Sequence, residues 1–219
     1  MNIEGVDIAG MGAGAFRWGL IAVLCWQTMW GQGRREEWKQ KAFDLDAHLT
    51  YSLANAPLSD AERNQIIEVM DDKTIHDSFS NAEREKEREA ILRARVGWIM
   101  LADSGIEQLV VRGAFPLFCG ATGNCSIWIF ARESERLRLL LRTGGSVFIV
   151  SANASQGFHD IVTGWHVSAF ETGFGVYRWD GSRYNQSDCY SVQFAADDWE
   201  KAPEIKDCPP SPPQNSHHR

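Results

Sequence analysis

His159, Asp160, His166 and Glu171 are residue types that bind zinc or carry out acid–base work, and they lie close together in the chain. Their spacing argues against joint action. In one extended strand His159 and His166 have opposite parity and point to opposite faces, and Asp160 and His166 stand about 20 Å apart at ~3.4 Å per residue. Only a sharp bend near Gly164 would unite them. A hydrolase or metal-dependent enzyme built on His159, Asp160, His166 and Glu171 is therefore the alternative reading, and polar groups paired or exposed on a sheet are the default. His76 and Asp77 fall in an expected interhelical loop. The chain has neither a Gly-x-Ser-x-Gly elbow nor a Gly-x-x-x-x-Gly-Lys loop, so no catalytic residues, metal or cofactor are expected.

Thiol chemistry is the second possibility. Of five cysteines, Cys25 lies in an apolar run near the start, which leaves Cys119, Cys125, Cys189 and Cys208. An even set suits disulfides in an oxidising compartment. A zinc site would favour CxxC spacing, and Cys119 and Cys125 stand further apart than that. Between them Gly120, Gly123 and Asn124 tolerate the positive φ of a tight reversal, and the flanking segments read as strands. Cys119 is thus expected to join Cys125, and Cys189 is left to Cys208 by subtraction.

Export fits the start of the chain. Arg17 precedes the apolar run from Trp18 to Cys25, and the stretch from Trp26 to Gly33 supplies small residues, which is the layout of a secretory signal peptide. Residues 1–33 are read as that signal, with the mature chain starting between Gly31 and Arg34. The run is shorter than the ~20 apolar residues of a membrane span. An uncleaved anchor and lipidation at Cys25 are the alternatives, the latter opposed by the bulk of Leu24. The chain is expected to be periplasmic or extracellular, meeting a membrane only through an uncleaved signal. A net charge of -7 and a pI near 5.4 argue against nucleic acid, whose binding needs clustered Lys and Arg.

Positioning any of these groups falls to two kinds of element. Residues 34–95 read as a charged helical lead-in. Ser59 with Glu62 and Ser80 with Glu83 form capping boxes, Ile66, Ile67 and Met70 make a docking stripe, and the charge run 83–89 reads as a solvated face. Over 96–200 the period changes to two. Segments 96–102, 107–113, 126–131, 136–142, 146–152, 159–166, 173–179 and 183–190 are eight strand candidates separated by turn-type residues, and in the fourth Arg136 and Arg138 alternate with Leu137, Leu139 and Leu141 until Leu140 breaks the rule. Turns at 103–105, 143–146 and 179–182 are expected to be hairpins, the last a type I′ turn at Asp180-Gly181. The fold class predicted is α+β, mainly β: an antiparallel meander of about eight strands, curved or closed like a barrel or propeller, behind a polar helical segment. Connections this short leave no room for parallel crossovers. Residues 201–219 read as a disordered Pro-rich tail.

Within this scaffold the stretch from Gly157 to His166, followed by Val176 to Gly181, resembles one hairpin unit of the FG-GAP or VCBS repeats of integrin-like propellers. There an Asp-hydrophobic-Val strand runs on into a strand ending at a glycine turn. The likeness covers about thirty residues and occurs once. It implies a β-hairpin of that style in an exported protein; the Asp-x-Asp-x-Asp-Gly calcium loop of those repeats has no counterpart here. Of the aromatics at 165–190, most are expected in the core. Trp165, Tyr177 and Trp179, with His159, Asp160 and His166, are the candidates for a binding surface. The function expected is a non-catalytic binding module of the cell envelope, contacting a protein or glycan, with an inhibitor or immunity-type protein as one version.

Overall fold

The computed structural model describes residues 44–71, 81–134, 136–195 and 203–208, with side chains omitted at 81–84. The signal-like segment with Cys25, the capping box of Ser80 with Glu83, the pair His76–Asp77 and residues 209–219 lie outside the described residues.

Among the described residues, three short helices and ten strands follow one another: α1 (Leu45–His48), β1 (Tyr51–Ser52), α2 (Asp60–Met70), α3 (Asn81–Leu92), β2 (Arg95–Met100), β3 (Glu107–Arg112), β4 (Cys125–Glu133), β5 (Arg136–Gly145), β6 (Val147–Ser155), β7 (Phe158–His166), β8 (Glu171–Trp179), β9 (Tyr184–Gln193) and β10 (Glu204–Asp207). The protein is mainly β, and every strand pairs antiparallel with its sequence neighbour except across β5–β6. All eight expected strands form. Two were missed: β1 lies in the supposed helical lead-in, and β10 lies in the supposed tail. Both are too short to show a period.

The meander divides into two five-stranded sheets, β1 to β5 and β6 to β10, and they do not close into a barrel or propeller. The division falls where a β5–β6 hairpin was expected. Instead of reversing, the chain runs through Gly144 and Gly145 and leaves the first sheet at Ser146, whose N–H donates to the Gly164 carbonyl at 2.8 Å. A Cβ on Gly145 would lie 2.4 Å from that same oxygen, so the two backbones meet only because residue 145 has no side chain. At the opposite end a single bridge, Ala102 to Phe158, and the bond from His159 N–H to the Leu101 carbonyl bring the sheets together again.

Alternation along the strands explains the layers. In β4, Ile127 and Ile129 turn towards the second sheet, joining Ile99, Val110, Phe148, Ile161 and Trp179 in one core. Their neighbours Trp128 and Phe130 turn the other way and pack with Leu109 and Val111 against Ile66 and Met70 of α2 and Ile91 of α3. The first sheet is therefore buried on both faces, which is why Ile127 to Phe130 is an unbroken apolar run. Leu140, which spoils the alternation of β5, marks a bulge: Leu141 pairs with Ile129 and Leu139 with Phe130, so Leu140 is the extra residue and it too is buried.

The helical segment is an integral layer, fastened by polar contacts. Ser59 caps α2 by accepting from Glu62 N–H, and the Glu62 carboxylate accepts in return from Ser59 N–H at 2.8 Å. The same carboxylate receives Arg132 Nε of β4 at 2.6 Å, and Gln65 accepts from Leu137 N–H of β5 at 2.7 Å. Burial alone would push the Glu62 carboxyl up; the Ser59 donors and Arg132 outweigh it and hold it below its ordinary value. In α3 the Glu89–Arg93 pair forms at 3.7 Å on a mostly solvated face.

The tight turns differ from expectation in chemistry. At 180–183 only Gly181 has positive φ, so no type I′ turn forms there. Asp180 shapes the loop instead. Its carboxylate accepts from the N–H of Arg183 and Ser182 and from the Ser182 hydroxyl, and these bonds hold its pKa well below the usual range. A two-residue hairpin lies at Gln156-Gly157, both with positive φ, between the paired residues Ser155 and Phe158. Gln-Gly is a weaker signal than Asp-Gly, and the period of β6 fades before it.

Candidate functional site

The His–Asp set does not assemble. His159 and His166 lie at opposite ends of β7, paired with Ala154 and Thr172 respectively. His159 Nε2 approaches Asp103 at 3.4 Å, and its carbonyl accepts from the Tyr184 hydroxyl at 2.9 Å. Asp160 is buried, accepting from Ser155 Oγ at 2.7 Å and facing Arg178 Nε at 3.6 Å. Burial first, and the Asp160 charge second, raise the Tyr184 hydroxyl pKa and keep it protonated as a donor. Glu171 begins β8, near His166, where its carbonyl accepts from Val167 N–H. Among the described residues no three His, Cys, Asp or Glu side chains are grouped to hold a metal. His159 and Asp160 thus make polar pairs near one end of the strand, and His166 and Glu171 lie at its other end.

The aromatic candidates belong chiefly to the interior. Trp179 is buried, stacked on Phe158 with centroids 4.3 Å apart, and lies beneath the Arg138 guanidinium at 5.9 Å. Tyr177 is half-buried against the inter-sheet core, where its hydroxyl accepts from Thr143 Oγ1 at 2.9 Å. Trp165 lies across Gly173, where a Cβ would come within 2.5 Å of the indole. Trp179 is thus core, while Trp165 and Tyr177 remain part-exposed.

The disulfide between Cys119 and Cys125 is present, with its Cα atoms 3.9 Å apart. The expected second disulfide is not: Cys189 and Cys208 are free thiols in facing positions on β9 and just beyond β10. The first pair closes a ring over residues 119–125 within the loop that joins β3 to β4. Gly113 N–H donates to the Ser126 carbonyl, Ser126 N–H to that of Phe118, and Gly120 N–H to that of Asn124, so the loop is folded on its own backbone. Asn124 then fastens it to the β7–β8 hairpin. Its Oδ1 accepts from His166 N–H and its Nδ2 donates to the His166 carbonyl, both at 2.9 Å.

Around this clamp the molecule shows apolar side chains to solvent. Phe115 is 69% exposed and Leu117 49% on the disulfide loop, and Val167 is 53% exposed on the hairpin. Phe194, whose N–H donates to the Phe170 carbonyl, adds a fourth at the end of β9. Sequence reasoning passed over Phe115 and Leu117. The signal was there, since Phe115-Pro116-Leu117-Phe118 is an apolar run with no period, interrupted by Pro and ending at a cysteine ring.

At the same end a cleft of about 300 Å³ opens between α1 and the β5–β6 corner, lined by Asp44, Asp46, Arg112, Ile127, Ser146 and Phe148 among others. Its Arg112 and Asp46 are engaged with one another, and Asp44 accepts from Ala47 N–H. Arg112 Nη1 donates to both Asp46 oxygens at 2.8 Å, and Arg95 reaches Asp46 at 3.1 Å. No described helix is long and apolar enough to cross a membrane. No protein family, curated protein or solved structure matches this chain.

Proposed function

We propose that this protein is a non-catalytic binding module of the cell envelope or periplasm, and that it engages a protein partner through the disulfide-bearing end. The observation that carries this reading is the exposure of Phe115 and Leu117 on the loop just before the Cys119–Cys125 ring, a loop folded on its own backbone and tied to the second sheet by Asn124. Large apolar groups fixed in place before binding lose little freedom on contact, and aromatic anchors dominate protein interfaces. The patch is apolar, whereas a glycan surface would set polar groups beside a flat ring, so a protein is favoured.

The test compares the wild-type chain with a Phe115→Ala/Leu117→Ala variant, each immobilised and exposed to envelope extract and, separately, to purified cell-wall glycan. A partner protein retained by the wild type and weakened at least tenfold by the double variant is the expected result. Equal retention by both, or retention of glycan alone, overturns the reading.

A further inference from the structure

The second cysteine pair sits where a covalent bond has a mechanical consequence. Strand β10 is the outermost strand of the second sheet, and it pairs with β9 in the register Glu204–Gln193, Ile205–Val192, Lys206–Ser191 and Asp207–Tyr190. The next step of that ladder sets Cys208 opposite Cys189, and the Cys208 N–H points to the Cys189 carbonyl at 3.5 Å. Directly opposed, hydrogen-bonded residues of an antiparallel pair have Cα atoms about 5.5 Å apart, within the span a disulfide bridges. Both thiols are only partly buried, so a small reagent reaches them.

Among the described residues, the side-chain contacts that add to this ladder lie on the surface. Lys206 Nζ donates to Gln193 Oε1 at 2.6 Å and stands 3.4 Å from Glu204, both on the surface. A four-residue edge strand fastened in this way opens easily, and its departure would leave β9 as a bare edge.

We propose that Cys189 and Cys208 form a redox-convertible pair whose disulfide latches β10 onto β9. The oxidant is a disulfide-bearing molecule. The Cys189 thiolate attacks one of its sulfurs, forming a mixed disulfide and expelling one thiolate. Cys208, losing its proton to solvent, then attacks Cys189 Sγ, forming the intramolecular S–S bond and expelling the second thiolate. Two protein thiols are oxidised and one external disulfide is reduced to two thiols. The order follows from the surroundings of Cys208. Burial, its hydrogen bond to Cys189, the Cys189 charge and the nearby carboxylates of Asp188 and Asp207 all push its thiol up, which disfavours it as the first thiolate to attack. This device is independent of the binding surface proposed above, and its test does not require the partner.

The full chain, with Cys119–Cys125 intact and Cys189 and Cys208 reduced, is titrated with mixtures of oxidised and reduced glutathione. Non-reducing peptide mapping then locates each thiol, and amide exchange is followed over 190–193 and 204–207. The expected result is a peptide linking 189 to 208, simultaneous loss of alkylation at both, and exchange in β9 and β10 slowed at least tenfold. Cys208→Ser should instead trap a lasting glutathione adduct at Cys189 with no slowing. Independent modification of the two thiols, a link from either to Cys119 or Cys125, or a 189–208 link that leaves exchange unchanged would each overturn the proposal.

Discussion

Glu62 carries three duties at once: it completes the cap of α2, binds Arg132 of β4 and sits nearly buried. Its pKa is lowered from the ordinary 4.5 on folding, so it stabilises the fold above that pH, and the contribution disappears as pH falls through the folded value. Glu62→Gln is therefore expected to cost about 1–2 kcal/mol at pH 7, with the gap to wild type closing in acid. Urea unfolding of both proteins across pH 7 to 3 checks this, and a gap independent of pH would contradict it. Cys119–Cys125 makes a second case at this scale. The Cys119→Ser/Cys125→Ser variant should lose about 2 kcal/mol, the chain-entropy value for so short a ring, and thermal unfolding reads it directly. The capping box and the cysteine ring were both legible in the sequence, because each is a short-range pattern with its own chemistry. Arg132, supplied by β4 from far along the chain, was not.

Among the elements, the β5–β6 corner and the disulfide loop are the two joints that shape the molecule. A methyl group at residue 145 would press on the Gly164 carbonyl, which is backbone and unable to turn aside. Gly145→Ala is expected to destabilise by about 1–3 kcal/mol, whereas Gly123→Ala would meet no neighbouring atom and only the strain of its positive φ. Chemical denaturation of the first variant tests the claim that the sheets part at this point; a change under about 0.5 kcal/mol, within the range of ordinary surface substitutions, would refute it. Asn124→Ala removes both bonds to His166, so amide exchange should quicken at His166 and across the loop while the remaining strands keep their protection. Eight strands could be read from their alternation. The type of each turn could not: Thr143 to Ser146 carries hairpin residues, yet glycine serves equally where a strand bends to cross another. Leu140 showed as an irregularity, and only the pairing of Leu139 and Leu141 identified it as a bulge.

For the molecule as a whole, the decisive feature is that one sheet serves two cores. Ile129 faces the second sheet while Trp128 and Phe130 face the helices, so neither side can loosen without exposing β4. Helices and sheets are expected to unfold in a single transition, with coincident midpoints by far-ultraviolet circular dichroism and tryptophan fluorescence. A fully buried residue on either face, Ile66→Ala or Ile129→Ala, should lower that common midpoint, each by about 2–5 kcal/mol in stability. Helical signal lost ahead of the β signal would show that the helical layer is only appended. By itself the sequence determined what depends on neighbours along the chain: the mainly β class, the eight longer strands, the α2 cap and the Cys119–Cys125 ring. The tertiary structure decided what depends on residues distant in sequence. Those are the split into two sheets, the double burial of β4, and the pairing of the short strands β1 and β10. It also decided that Trp179 is core while Phe115 is surface, because an aromatic side chain is equally suited to either, and only the layer packed against it settles which.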